Sequence, residues 1–185
     1  MFIQTEITPN PASLKFLPGR VVMEKGTTDF RSVKEASNSL FAQNLFKIEG
    51  VEGVFFGSDF ISITKSDKLD WQVLKPSVLG AIADHYESGA PVMNKEVSSE
   101  DDATSAKDSD IVKQIKELLD TRVRPAVAQD GGDITFSDYK DGIVFLQMKG
   151  ACSGCPSSTA TLKAGIENML KHYLPEVQGV EPVME

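Results

Sequence analysis

The stretch Lys95–Asp110, KEVSSEDDATSAKDSD, limits what this chain can fold into more than any other segment. It has no aromatic residue, one large aliphatic (Val97), six acids and two lysines. Such a composition cannot bury enough apolar surface to offset the entropy of ordering. A structureless loop of that length is also uncommon inside a compact domain. The reading is a flexible acidic linker over residues 93–108, joining two small domains at 1–92 and 109–185. The fold class expected for both is α+β, each domain a small β-sheet packed with helices.

In the first domain, Phe2 to Thr8 and Leu14 to Leu17 read as strands separated by the turn-forming Thr8-Pro9-Asn10-Pro11. Arg20 to Glu24 continues an extended pattern. Ser32 to Ile48 has helical spacing, with Val33, Ala36, Leu40, Phe41 and Leu45 on one side. Val51 to Phe56 and Phe60 to Thr64 form a hairpin across Gly57-Ser58-Asp59. Leu74, Val78, Ile82 and Tyr86 mark a second helix, with a break or start at Pro76.

In the second domain, Ser109 or Asp110 caps a helix whose apolar face is Ile111, Ile115, Leu118, Leu119 and Val123. Arg124-Pro125 disturbs or ends it. After the turn Asp130-Gly131-Gly132-Asp133, Ile134 to Tyr139 and Ile143 to Lys149 pair across Lys140-Asp141-Gly142. A helix then runs from Ser157 to Tyr173, with Leu162, Ile166, Met169, Leu170 and Tyr173 facing inward. A short strand near Val177 to Val183 closes the chain.

Bulk properties exclude some functions. A net charge of −8 and a pI near 4.8 argue against a nucleic-acid binder. No run approaches the ~20 apolar residues of a membrane span. The N-terminus, Met1-Phe2-Ile3-Gln4-Thr5-Glu6, lacks the basic and apolar regions of a signal peptide and the Arg-rich character of a transit peptide. A reducing compartment is expected, in which C-x-x-C is more often metal-binding or catalytic than a structural disulfide.

Cys152 and Cys155 are the only cysteines, in Gly150-Ala151-Cys152-Ser153-Gly154-Cys155-Pro156, between a strand and a helix. Pro156 suits the first helical position. Cys155 would then lie at a helix N-terminus, where free N–H groups and the macrodipole favour thiolate. The small residues leave room for a cofactor or a partner thiol, and the loop is expected to be exposed.

Three chemistries fit. Two chains could each give two thiolates to one iron–sulfur cluster, filling four positions. The pair could be a redox dithiol, although the 30 residues after Cys155 hold too little sheet for a thioredoxin-like fold, and Ala151 stands where an aromatic is usual. Zinc would need two more ligands. His85 lies in the other domain, and His172 lies roughly 20–25 Å along the helix from the cysteines. A local disulfide or an inert pair is the plainest alternative. His85 and His172 read as surface helix residues, the phenylalanines as core, and Asp130-Gly131-Gly132-Asp133 as turn chemistry.

The motifs Val123-Arg124-Pro125, Asp130-Gly131-Gly132-Asp133 and Gly150-Ala151-Cys152-Ser153-Gly154-Cys155-Pro156-Ser157-Ser158 resemble the C-terminal domain of the NifU/Nfu family. Ile3-Gln4-Thr5-Glu6, Thr8-Pro9-Asn10-Pro11, Leu14-Lys15-Phe16 and Gly53-Val54-Phe55 resemble the Nfu N-terminal domain. The resemblance covers both domains and leaves out the linker. It implies an iron–sulfur cluster scaffold or carrier rather than an enzyme. Cys152 and Cys155 would ligate a cluster, usually [4Fe–4S] with [2Fe–2S] the other form, in a cluster-bridged homodimer. The cluster would come from an upstream assembly scaffold and pass to apo iron–sulfur proteins. The rival class is a CxxC thiol–disulfide oxidoreductase. The expected location is a bacterial cytoplasm, with the mitochondrial matrix, for a processed form, as the alternative.

Overall fold

The computed structural model describes residues 1–94, 109–154 and 156–183. From residue 95 on, the expected linker lies outside the described residues, as does Cys155. The chain divides into two compact units, the division falling between residues 99 and 100.

The first unit is one antiparallel sheet with two helices on it. Its strands are β1 (Gln4–Ile7), β2 (Ser13–Leu17), β3 (Thr28–Phe30), β4 (Val51–Phe56) and β5 (Ile61–Lys65), in the order β1-β2-β5-β4-β3. In the β1–β2 turn, the Asn10 side-chain oxygen accepts from the Ala12 N–H at 3.0 Å, as turn asparagines do. Helices α1 (Leu40–Phe46) and α2 (Trp71–Ser88) bury Phe41, Leu45, Leu74, Val78 and Ile82 against Phe16, Val54, Phe56, Ile61 and Ile63. Each such side chain contributes roughly 1.5–3 kcal/mol of burial.

Several expectations need correction here. The segment from Ser32 to Ile48 is not one helix. A 3-10 turn, Glu35–Asn38, precedes α1, because the Ser39 hydroxyl caps α1 by accepting from the Ala42 N–H at 3.1 Å. Val33 and Leu40, placed on the inner face, are both exposed. Arg20 to Glu24 forms no strand; its Val22 and Met23 N–H groups both reach the Ser58 carbonyl, and the edge strand is β3 instead. The second helix starts at Trp71 behind an Asp70 cap, and Pro76 lies inside it. His85 is not a surface residue. It is 8% exposed and stacks on Phe41 with ring centroids 3.8 Å apart, its Nε2 without a hydrogen-bond partner.

The second unit begins with α3 (Asp110–Leu118), a π-turn at Leu119–Val123, and α4 (Arg124–Gln129). Arg124-Pro125 therefore disturbs the helix and does not end it. The wider turn makes room for a proline ring that would clash in regular α geometry. The strands β6 (Gly132–Lys140) and β7 (Ile143–Gly150) are antiparallel, and β8 (Gly179–Val183) lies parallel to β7. Asp141 (φ 51) and Gly142 (φ 80) are both left-handed, the conformation a two-residue hairpin requires. A parallel neighbour needs a crossover. α5 (Pro156–Tyr173) provides it, with Ile166 and Leu170 on the core of Ile134, Val144, Leu146 and Val180. Tyr173, expected inside, is exposed and under the Arg122 guanidinium. No helix among the described residues is long and apolar enough to cross a membrane.

Candidate metal centre

Cys152 sits in the turn that carries the chain from β7 to α5. Gly150, the last residue of β7, has φ 65, and Gly154 has φ 79, so both bends use backbone conformations that favour glycine. Between them the Ser153 N–H donates to the Gly150 carbonyl at 3.1 Å, and the Ser153 hydroxyl donates to the same oxygen at 3.0 Å. The Ala151 N–H donates to the Gly131 carbonyl at 3.2 Å, tying the loop to the residue before β6. In the first turns of α5 the Thr159 hydroxyl donates to the Cys152 carbonyl at 3.4 Å.

The loop was expected to be exposed. Cys152 is instead 6% exposed and belongs to the core cluster of the second unit. The cause is Gly132, which faces Gly150 across the base of the hairpin. A Cβ on Gly132 would stand 2.5 Å from the Cys152 Sγ and 2.7 Å from the Lys149 carbonyl oxygen. The missing side chain is the space that the sulfur fills. Burial there, followed by the nearby charges of Asp130 and Asp133, pushes the Cys152 thiol up to about 12. Cys152 in this conformation is a neutral thiol at neutral pH.

The floor of the site is held by a buried ion pair. Arg124 Nε donates to Asp133 Oδ1 at 3.0 Å, and an Arg124 terminal nitrogen donates to Oδ2 at 2.9 Å. Asp133 is 3% exposed and also accepts from the Ile134 N–H at 2.8 Å. Arg124 further reaches Asp120 at 3.1 Å, one helical turn back. Burial alone would pull the guanidinium's proton affinity down. The hydrogen bonds and charges of Asp133, then Asp120, outweigh that and raise it. The pair joins α4 to the start of β6 and so fixes Gly132 beneath the thiol.

The sequence-predicted ligands thus divide. Cys152 is placed, in a turn framed by glycines, and Cys155 lies outside the described residues. Neither histidine joins the site: His85 is core in the first unit, and exposed His172 edges onto Tyr173 at the far end of α5. Among the described residues no three His, Cys, Asp or Glu side chains cluster as a metal cage. Sequence reasoning missed Gly132, Arg124 and Asp133 as parts of the site. The signal was the doubled glycine: Gly131 has φ 79, while Gly132 needs to be glycine only because of what touches it.

Two family models match, "Scaffold protein Nfu/NifU N terminal" over residues 3–89 and "NifU-like domain" over residues 115–181. The chain is 53% identical over 186 residues to the human "NFU1 iron-sulfur cluster scaffold homolog, mitochondrial", covering all of this chain and 73% of that protein. It is 55% identical over 185 residues to "NifU-like protein 4, mitochondrial" of Arabidopsis thaliana, and spans 65% of that relative's length. A solution structure of a NifU-like protein from Saccharomyces cerevisiae aligns with a TM-score of 0.47 at 28% identity, over 51% of this chain and 86% of that one. The chain belongs to the Nfu/NifU family of scaffold proteins.

Proposed function

We propose that this chain is an iron–sulfur cluster carrier whose ligands are Cys152 and Cys155. Two thiolates fill half of a four-sulfur site, and the same pair from a second copy fills the rest. The cargo is a [4Fe–4S] cluster, with [2Fe–2S] as the other form. The chain's part is to hold, orient and release that cargo, with no bond of a further substrate made or broken, so it is a carrier and not an enzyme. An upstream scaffold supplies the cluster, and apo iron–sulfur proteins take it by exchanging their own thiolates for those of the carrier.

The observation that carries this reading is the Gly-framed Cys152 turn, lying within the stretch matched by the NifU-like domain. The donor set fits the cargo. Thiolate sulfur is the usual ligand of such clusters, and iron binding would displace the proton of the Cys152 thiol. The same raised thiol speaks against Cys152 as the attacking group of a redox couple, which needs ready thiolate. The printed names of the relatives place those proteins in mitochondria and favour the mitochondrial matrix over the bacterial cytoplasm. The first unit is a recognition module for acceptors.

Anaerobic addition of iron and sulfide tests the proposal. Broad visible absorption with half a cluster per chain supports it. A reversible two-electron thiol–disulfide couple, with no iron retained after desalting, overturns it.

A further inference from the structure

The geometry points to Gly132 as a positioning residue that governs when Cys152 can take iron: the thiol is seated against Gly132, and cluster uptake requires the loop to lift it off. This inference rests on the cluster-carrier reading and adds a step to it.

The contact is specific. The Sγ lies 2.5 Å from where a Cβ of residue 132 would stand, too close for both to be present, and the Lys149 carbonyl oxygen lies 2.7 Å from the same point. Ile134, Met148 and Ile166 belong to the same buried cluster as the sulfur. A metal–thiolate bond needs a free approach to the sulfur at roughly 2.3 Å. At 6% exposure Cys152 offers none, least of all to a cluster that must also reach thiolates of another chain. The loop has the means to move. Gly150 (φ 65) and Gly154 (φ 79) bracket it, and small φ/ψ changes at these two residues swing the segment between them. Gly131 and Gly132 are not free to follow, because Asp133 is clamped by Arg124 through two hydrogen bonds at 3.0 and 2.9 Å. Swinging the loop breaks the Ala151–Gly131 hydrogen bond at 3.2 Å and leaves the β6–β7 pairing in place, so opening exposes Cys152 without dismantling the hairpin.

A methyl group at position 132 would fill the seat. Gly132→Ala should leave the thiol outside, at the cost of strain against the Lys149 carbonyl.

The test uses the full-length apo chain with Cys155→Ser, in which Cys152 is the one thiol. Iodoacetamide reports accessibility: the sulfur bonds to carbon, iodide leaves and the thiol proton goes to solvent. Alkylation in native buffer should be at least about tenfold slower than in denaturant at the same pH, as for a group reached only through local opening. Adding Gly132→Ala should recover most of that factor. NMR of the apo chain without Gly132→Ala supplies a readout that does not depend on whether this variant folds. A cross-peak between Gly132 α-protons and Cys152 β-protons is expected. In the protein with both cysteines, the rate of cluster uptake should level off as iron and sulfide are raised, because loop opening sets the ceiling. A missing cross-peak, or native alkylation as fast as in denaturant, overturns the seat and leaves the carrier reading standing. A seated thiol in a chain that retains no iron would instead sink the carrier reading and keep the seat.

Discussion

Replacing Arg124 by Met leaves the Asp133 carboxylate buried without its partner. The guanidinium makes two hydrogen bonds to Asp133, whose side chain is 5% exposed, while its own is 22% exposed. Breaking a buried pair from one side costs about 3–5 kcal/mol. The partial exposure of Arg124 and the remaining Ile134 N–H donor argue for the lower end, about 3 kcal/mol. A unit of this size holds about 4–12 kcal/mol in total. Its melting point should therefore fall by about 12–24 °C. Asp133→Asn keeps the acceptor for Ile134 and leaves Arg124 able to turn to Asp120, so it should cost less, about 1.5–2 kcal/mol. The double variant should cost less than the sum of the singles by about 1–2 kcal/mol. Native-state hydrogen exchange at the Leu146 and Met148 amides reads this unit separately from the first. A loss below about 1 kcal/mol for Arg124→Met, or strict additivity in the double variant, would refute the argument that this pair anchors the floor of the site.

Three further outcomes are expected. Cys152→Ala and Cys155→Ala should each abolish cluster retention, measured as iron per chain after desalting; Cys152→Ala should also cost about 1 kcal/mol, because it empties a core position. The first unit should lose stability in acid. Burial holds His85 below its usual 6.5, so the folded state binds fewer protons than the unfolded chain between those values. Stability is full above 6.5, falls as pH drops through 6.5 toward the folded value, and then levels; thermal melts followed by Trp71 fluorescence should show this slope, and His85→Gln should remove it. Gly57→Ala should destabilise the same unit by about 1–3 kcal/mol, since its Cβ would overlap the Phe60 ring, and the same fluorescence melts would read it.

The parts of this molecule legible in the sequence are those specified by neighbours along the chain. The Asp141-Gly142 hairpin, the helix led by Pro156 and the β4–β5 pair each carry their own turn residues and periodicity, and they fold as their spacing says. The place of Cys152 between a strand and a helix was legible for the same reason. What the spacing could not give depends on distant contacts. Cys152 is buried by Gly132, on another strand, and a pattern that reads loops as exposed has no access to that. His85 follows Val78 and Ile82 at helical spacing and so shares the buried face of α2, but a histidine reads as polar, and nothing local shows that Phe41 on α1 stacks over it. Arg124-Pro125 reads as disturbing or ending the helix because proline opposes regular helix; the spacing does not say that a π-turn absorbs it and the helix resumes. Ser39 was hidden in a helical period, although a serine before an apolar run is also a cap signal.

The mass and iron content of the anaerobically reconstituted protein test the central claim most directly. Native mass spectrometry together with Mössbauer spectroscopy should find two chains of 20.1 kDa joined by one cluster with all-sulfur coordination, and the dimer should dissociate when the cluster is chelated. A stable cluster on a single chain, or an undiminished cluster in the Cys152→Ala protein, would contradict shared ligation.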